Sequence, residues 1–242
     1  MLDFASEEGQ WLRGQPSEVA VALAARASLR VLPFIWYDLR RRSIDDDLGV
    51  EIASICFRAV TLPWLAAIRP GRSIKLFELC RQGAADAFRT APKLMSAASR
   101  SAISSVAAAC SVAASALDAD SKHKNVAHEI VGYDLIDAFT SATDACAEAD
   151  KDAVKSDFSA IRNGMGGAEL AATSLWSSAL PQSILDAWRD LKLALNSRNK
   201  NWNVWIDWYD RRLAIGRPVE SDEFDRIIAF NKASQKLLRN IE

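Results

Sequence analysis

The chain has 242 residues, half of them are hydrophobic, and its formal net charge is -1 at pH 7. This composition excludes an intrinsically disordered chain, which would combine few hydrophobic residues with a high net charge. Acidic and basic residues nearly balance, so no global basic field exists to attract nucleic acid. We expect a single helical domain over residues 1–242.

The cysteines and the N-terminus predict a cytoplasmic protein. Cys56, Cys80, Cys110 and Cys146 are far apart and form no CxxC pair. We interpret them as small buried hydrophobes in a reducing compartment. The first residues are acidic and lack the apolar region of a secretory signal. The uncharged stretch 101–117 consists largely of Ala and Ser, whereas a membrane span needs about 20 predominantly apolar residues, so we expect no span.

Helical signals dominate the start of the chain. A helix is predicted after Pro16, with Ser17 as its N-cap and with apolar residues recurring at helical spacing. Arg26 and Arg30 lie four residues apart on another face of this helix. Pro33 is expected to end or kink it, because proline removes a backbone hydrogen bond.

Further prolines predict further breaks. A second helical stretch is expected over about 47–60. Pro63 and Pro70 should then bracket a short segment that holds Trp64. Ser73 is a suitable cap for the helix that follows.

The middle of the chain is rich in alanine. The Ala/Ser-rich stretch 91–119 predicts a central helix whose small side chains let neighbouring helices approach closely, with a break expected near Ser104. A further helix is predicted over 125–161. The run 163–167 contains three glycines, and it is the best candidate for a hinge or for a boundary between two lobes.

Residues that could carry chemistry form no recognisable site. His123 and His128 are five positions apart, whereas a zinc-binding helix needs a spacing of four. Asp144, Glu148 and Asp152 recur at every fourth position and could offer a cation three carboxylates, but we interpret them as a solvated helix face. No GxSxG occurs, and the glycine run lacks the flanking features of a phosphate-binding loop. We predict no catalytic residue, no metal site and no cofactor.

The sharpest feature is a tryptophan-rich region near the C-terminus. The first of two predicted helices after Pro181 carries Trp188 on its apolar face. The second carries Trp202, Trp205 and Tyr209 on one side. Aromatic side chains bury a large area, so we expect these three to pack against Trp188 in the core.

Trp208 lies off this stripe, beside two arginines. This position makes Trp208 the candidate for an exposed anchor on a partner surface, since tryptophan and arginine are enriched at binding hot spots. We predict Trp208, Arg211, Arg212 and Trp205 as the partner-binding residues. Base stacking by the tryptophans, with the arginines near phosphates, is the alternative for this helix.

The same region resembles a segment that recurs in uncharacterised bacterial proteins. Its pattern is WxxWxxWY…RL.G, which here covers Asn201–Tyr209, Arg212–Leu213 and Gly216–Pro218. Those proteins place an Ala-rich helical stretch before the segment, as 141–161 does here. The resemblance implies an adaptor or sensor that acts with a separate effector, and it carries over no catalytic residues.

These observations predict an all-α multi-helix bundle with close-packed, Ala-rich helices. Its expected function is that of a protein–protein interaction or adaptor module in a multi-component bacterial assembly, such as a defence or signalling system. The expected partner is another protein or a second copy of the chain. An enzyme or small-ligand-binding helical protein is the alternative, and it would need a deep pocket with converging polar groups.

Overall fold

The protein is a bundle of α-helices. The computed structural model describes residues 7–39, 47–69, 74–94, 96–118, 124–146, 151–177, 179–198, 202–213 and 229. These described residues form α-helices, turns and short 3-10 segments, and none of them lies in a β-strand. The predicted all-α multi-helix bundle is confirmed.

The helices follow one another through mostly short connections. In chain order they are α1 (Glu7–Arg13), α2 (Ser17–Val31), α3 (Trp36–Leu39), α4 (Asp47–Ile68), α5 (Ile74–Thr90), α6 (Ala97–Asp118), α7 (Lys124–Cys146), α8 (Lys151–Arg162), α9 (Gly167–Ala172), α10 (Gln182–Arg198) and α11 (Asn203–Leu213). Two 3-10 segments are Leu32–Ile35 and Ala91–Lys93. The acids at Asp222 and Glu223 and the bases up to Arg239 also predict a last helix, since this order suits the helix dipole; apart from Ala229, this stretch lies outside the described residues.

Helix α2 lies at the centre of the bundle. Every residue from Val19 to Val31 is buried, and α2 packs against α4, α6, α7 and α9. A helix covered on all sides has no need of a polar face, and its many alanines let four neighbours approach. Pro16 occupies the N-cap position that was predicted for Ser17, so the helix begins at Ser17, one residue earlier than predicted. The chain leaves the α-helix before Pro33, as predicted.

Pro63 does not break α4, so the prediction of a break there is wrong. The helix runs unbroken from Asp47 to Ile68. Proline has no N–H, and the carbonyl of Ala59 therefore loses its helical partner. The Cys110 thiol of α6 donates to this carbonyl, with an Sγ–O distance of 3.0 Å. A neighbouring helix thus supplies the hydrogen bond that lets α4 continue.

The Ala-rich helix α6 also runs unbroken, and the break predicted near Ser104 is wrong. The hydroxyl of Ser105 donates to the carbonyl of Ala138 in α7 at 2.8 Å. A serine in this helix therefore serves a helix–helix contact. Small side chains allow α6 to pack against α2, α4, α5 and α7 at once.

The long helix predicted over 125–161 is in fact two helices, α7 and α8. No large apolar side chain occurs in 140–153, so the middle of a continuous helix would have little to bury. Asp144 lies on α7 and Asp152 on α8, while Glu148 lies outside the described residues. The predicted stack of three acids on one helix face is therefore wrong.

The glycine run 163–167 ends α8 and begins α9. Gly164 adopts a positive φ of 92°, and the N–H of Met165 donates to the carbonyl of Ala160 at 3.1 Å, as at many helix C-termini. Gly167 touches α2, because a Cβ at this position would lie 2.4 Å from the carbonyl oxygen of Glu18. The boundary between two lobes at this run stays a prediction.

Replacing Gly167 with alanine should destabilise the protein. We expect Gly167→Ala to lower the free energy of unfolding by about 1–3 kcal/mol, because the methyl group must displace the backbone of α2. Gly166→Ala is the matched control, since nothing lies within 4 Å of its Cβ position. Urea unfolding followed by tryptophan fluorescence measures both. Equal unfolding midpoints for the two variants would contradict the close approach of α9 to α2.

Two helices are long and apolar enough to cross a membrane by length and composition alone. Among the described residues they are Gly49–Ile68 of α4 and Ala97–Leu117 of α6. Most of each segment is buried inside the bundle. Core helices of globular proteins have the same character, so the two segments carry little weight as membrane spans.

Candidate functional site

The predicted partner-binding residues lie on α11, but most of them face the core. Trp208 is only 4% exposed, and Trp205 and Arg212 are also buried. Arg211 keeps part of its surface at solvent. The prediction of Trp208 as an exposed anchor is wrong. The prediction fails because the buried side of α11 is wide. It includes Trp208 as well as Trp205 and Tyr209.

Trp208 belongs to an aromatic cluster built by α4, α10 and α11 and the residue before α11. The Trp64 and Trp208 rings meet edge to face with centroids 5.5 Å apart, an arrangement that aromatic pairs favour. The guanidinium of Arg212 lies over the Trp64 ring, 4.7 Å from its centroid. The cluster members are Phe57, Trp64, Trp188, Trp202, Trp205, Trp208 and Tyr209. The predicted burial of Trp202, Trp205 and Tyr209 is confirmed; Tyr209 contacts Trp188 directly, whereas Trp202 and Trp205 contact Phe57, which in turn contacts Trp188.

Two hydrogen bonds orient this cluster. The indole N–H of Trp188 donates to Asp210 at 2.6 Å. The hydroxyl of Tyr209 donates to the carbonyl of Leu29 in α2 at 2.7 Å. Burial, aided by the charge of Asp210, raises the pKa of Tyr209 well above its ordinary value, so the phenol stays a donor. Helix α11 is thereby tied to α10 and to the central helix.

A second buried polar group, the arginine centre, consists of Arg26, Arg30 and Asp157. Arg26 Nη2 lies 2.9 Å from Asp157 Oδ1, and Arg30 Nη2 lies 2.7 Å from Asp157 Oδ2. All three side chains are almost inaccessible to solvent. The arginines also donate to the backbone carbonyls of Leu170, Thr173, Ser174 and Leu175.

The arginine centre holds the irregular segment 173–177 against α2. Carbonyls outside a helix have no intrahelical partner, and buried ones must find another. Arginine supplies five donors in one plane, and the Trp176 ring lies 5.5 Å from the Cζ of Arg30. Because the chain's own oxygens engage these donors, the arrangement is suited to holding the fold and offers a substrate little.

Sequence reasoning placed these arginines on a separate face without recognising a buried site. One signal was present: Arg26 and Arg30 are the only charged residues in 19–31. A solvated helix face would carry more charge over four turns. Their partner Asp157 is 131 residues beyond Arg26, and no local pattern indicates that pairing.

Three of the cysteines are buried in the core. Cys56, Cys80 and Cys110 are free thiols in the core, and burial raises the pKa of Cys56 to about 12. Thiols of this kind are poor nucleophiles, because the thiolate is the reactive form. The interpretation as buried hydrophobes is confirmed for these three. Among the described residues, no group of three His, Cys, Asp or Glu could hold a metal ion.

Exposed apolar side chains do remain on α10 and α11. Leu193 is 65% exposed and Val204 is 54% exposed. Leu193 lies midway between the buried Leu191 and Leu195, so it points away from the core. Val204 and Arg211 are seven residues apart and share the outer side of α11. We call the exposed residue Leu193 of α10 together with Val204 and Arg211 of α11 the α10–α11 face, although Val204 and Arg211 lie on the side of α11 away from its contact with α10, which runs through Tyr209 and Asp210.

No protein-family model, no curated protein and no solved structure matches this chain. The resemblance to the WxxWxxWY…RL.G segment therefore stands on the sequence pattern alone and stays a prediction. The structure does give that pattern a physical reason, since its Trp and Tyr residues form the core contacts of α11.

Proposed function

We propose that the protein is a helical interaction module that binds another protein through the α10–α11 face. One observation carries this proposal: Leu193 and Val204 are both more than half exposed, although the neighbouring aromatic residues are buried. Covering apolar surface contributes roughly 25 cal/mol for each Å² removed from water. A partner that covers both side chains would therefore gain binding free energy.

The surroundings of these two residues support the same proposal. Charged side chains lie around them, with Arg189 and Asp190 on α10 and Asp207 and Arg211 on α11. Protein interfaces commonly combine an apolar centre with a polar rim, and arginine is enriched in them. Arg211 is the one residue of the predicted partner-binding set that the proposal keeps.

We further propose that the module acts as an adaptor in a multi-component bacterial assembly, such as a defence or signalling system. The support for this wider role is the resemblance of the region 201–218, with the Ala-rich stretch 141–161 before it, to segments of bacterial proteins with an adaptor-like arrangement. The tightly packed all-α bundle is consistent with it, because a rigid scaffold holds a docking surface at little entropic cost.

Recovery of a bound protein from the native cell tests the proposal. A tagged wild-type chain should retain a stoichiometric partner, identified by mass spectrometry. Leu193→Asp/Val204→Asp should reduce the recovered partner at least tenfold, because two charges would be placed against an apolar contact. Both side chains are exposed, so circular dichroism and the unfolding midpoint should stay close to wild type.

Val50→Asp is the matched control, since Val50 is an exposed apolar residue on a different helix, α4. It should recover the partner as the wild type does. Calorimetric titration with the purified partner should then give similar affinities for the wild type and Val50→Asp and a weaker affinity for Leu193→Asp/Val204→Asp. Partner recovery that is equal in the double variant and the wild type would exclude this face.

A further inference from the structure

Helix α5 carries an exposed aromatic residue in a basic region. Phe88 is 57% exposed, and the exposed side chains of Arg81 and Arg89 lie near it on the outer side of the helix. Residues 74–100 contain five Lys or Arg and two Asp or Glu, although the whole chain has a net charge of -1. We call Phe88, Arg81 and Arg89 the α5 surface.

The acids beside this region offset only part of its positive charge, and one of them, Glu51 of α4, lies 3.9 Å from Lys93. Glu78 pairs with Arg81 at 3.0 Å. Asp86 accepts hydrogen bonds from both Arg89 and the buried Arg58. One carboxylate thus faces two guanidinium groups, and the α5 surface keeps an excess of positive charge.

Helix α7 carries an exposed aromatic residue in an acidic region. Tyr133 is 46% exposed. The exposed residues Asp137 and Asp144 follow it by one turn and by three turns, on the same side of the helix. Residues 131–146 contain three Asp and no Lys or Arg. We call Tyr133, Asp137 and Asp144 the α7 surface.

These two helices pack on opposite sides of α6. Cys110 faces α5, because a Cβ on Gly83 would lie 3.3 Å from its Sγ. Ser105 and Ser111 face α7, where their hydroxyls donate hydrogen bonds. Around the axis of α6, with 100° per residue, the direction midway between Ser105 and Ser111 lies about 160° from the direction of Cys110. The two helices therefore lie on different sides of α6.

We propose that the α5 surface of one copy of this chain binds the α7 surface of a second copy. The charges are complementary, and each surface offers one exposed aromatic side chain as an anchor. The two patches differ, so the contact is head-to-tail. After one contact has formed, each of the two copies still has one unoccupied surface. Further copies can bind there, so the assembly grows into a chain or closes into a ring.

Two properties distinguish this contact from the proposed function. It uses surfaces separate from the α10–α11 face, so either proposal can fail while the other holds. It is also sensitive to salt, because exposed charges are screened over about 10 Å at 0.1 M salt and about 3 Å at 1 M.

Sedimentation velocity of the full chain tests the proposal. The wild type should form species larger than a monomer at about 20 mM salt and return to a monomer at about 1 M salt. Two variants each remove one surface: Phe88→Ser/Arg89→Glu removes the α5 surface, and Tyr133→Ser/Asp137→Lys removes the α7 surface. Each variant alone should remain a monomer, with wild-type circular dichroism.

An equal mixture of the two variants separates a head-to-tail contact from other kinds of association. Each variant retains the surface that the other lacks, so the mixture should double in mass to a discrete dimer and grow no further. A mixture that stays monomeric would overturn the proposal. So would a wild type that stays monomeric at low salt, or oligomers that both variants leave intact.

Discussion

Asp157→Asn should lower the free energy of unfolding by about 3–5 kcal/mol, because it leaves two buried guanidinium groups without their counter-charge. Arg26 and Arg30 bind different oxygens of this carboxylate. Asparagine has nearly the same volume as aspartate and keeps one hydrogen-bond acceptor. The lost stability therefore reports the removal of the negative charge. Urea unfolding followed by tryptophan fluorescence measures the change.

Asp152→Asn on the same helix is the control for this prediction. Asp152 is an exposed residue whose carboxylate lies 3.9 Å from the ammonium of Lys155, and such surface pairs contribute little. We expect its unfolding midpoint to match that of the wild type. If Asp157→Asn were equally stable, the buried arginine centre would not be a major source of stability.

Trp208→Ala should also cost about 3–5 kcal/mol, as expected for removing a buried tryptophan. The variant loses the edge-to-face contacts of Trp208 with Trp64 and Trp205. It also leaves a cavity between α4 and α11. Val204→Ala is the control on the same helix, since Val204 is exposed, and its unfolding free energy should change little.

This prediction separates a core tryptophan from a surface anchor. A core residue lowers the stability of the protein alone, and partner recovery falls only as far as the folded fraction falls. A surface anchor would lower partner recovery at unchanged stability. The second outcome for Trp208→Ala would contradict the buried position of this side chain.

Much of the helical framework could be predicted from local sequence patterns. The regular apolar spacing after Pro16 and after Pro181 indicates α2 and α10, and the tryptophan spacing indicates α11. Proline and glycine mark the ends of α2 and α8 because they act on the backbone itself. The core role of Trp188 follows from its place on an apolar stripe.

The errors arise where a distant part of the chain decides the local structure. Helix α4 continues through Pro63 because Cys110, far along the chain, satisfies the released carbonyl of Ala59. The side on which Trp208 lies depends on Trp64 of α4. No periodicity within a single helix contains this information.

The proposed binding surfaces are the hardest features to predict from the sequence. Exposed apolar residues such as Leu193 and Phe88 are recognised only when the neighbouring helices are in place, because a sequence does not show which side of a helix stays uncovered. The arginine centre is the reverse case, because charged side chains are mostly exposed in proteins but the fold buries these three.

Hydrogen–deuterium exchange of the protein with and without its recovered partner is the most direct test of the proposed interaction module. We expect the partner to slow exchange in peptides that cover the second half of α10 and the first half of α11, around Leu193 and Val204. Exchange around Val50 on α4 should stay unchanged. Protection confined to helices other than α10 and α11 would contradict the assignment of the partner surface to the α10–α11 face.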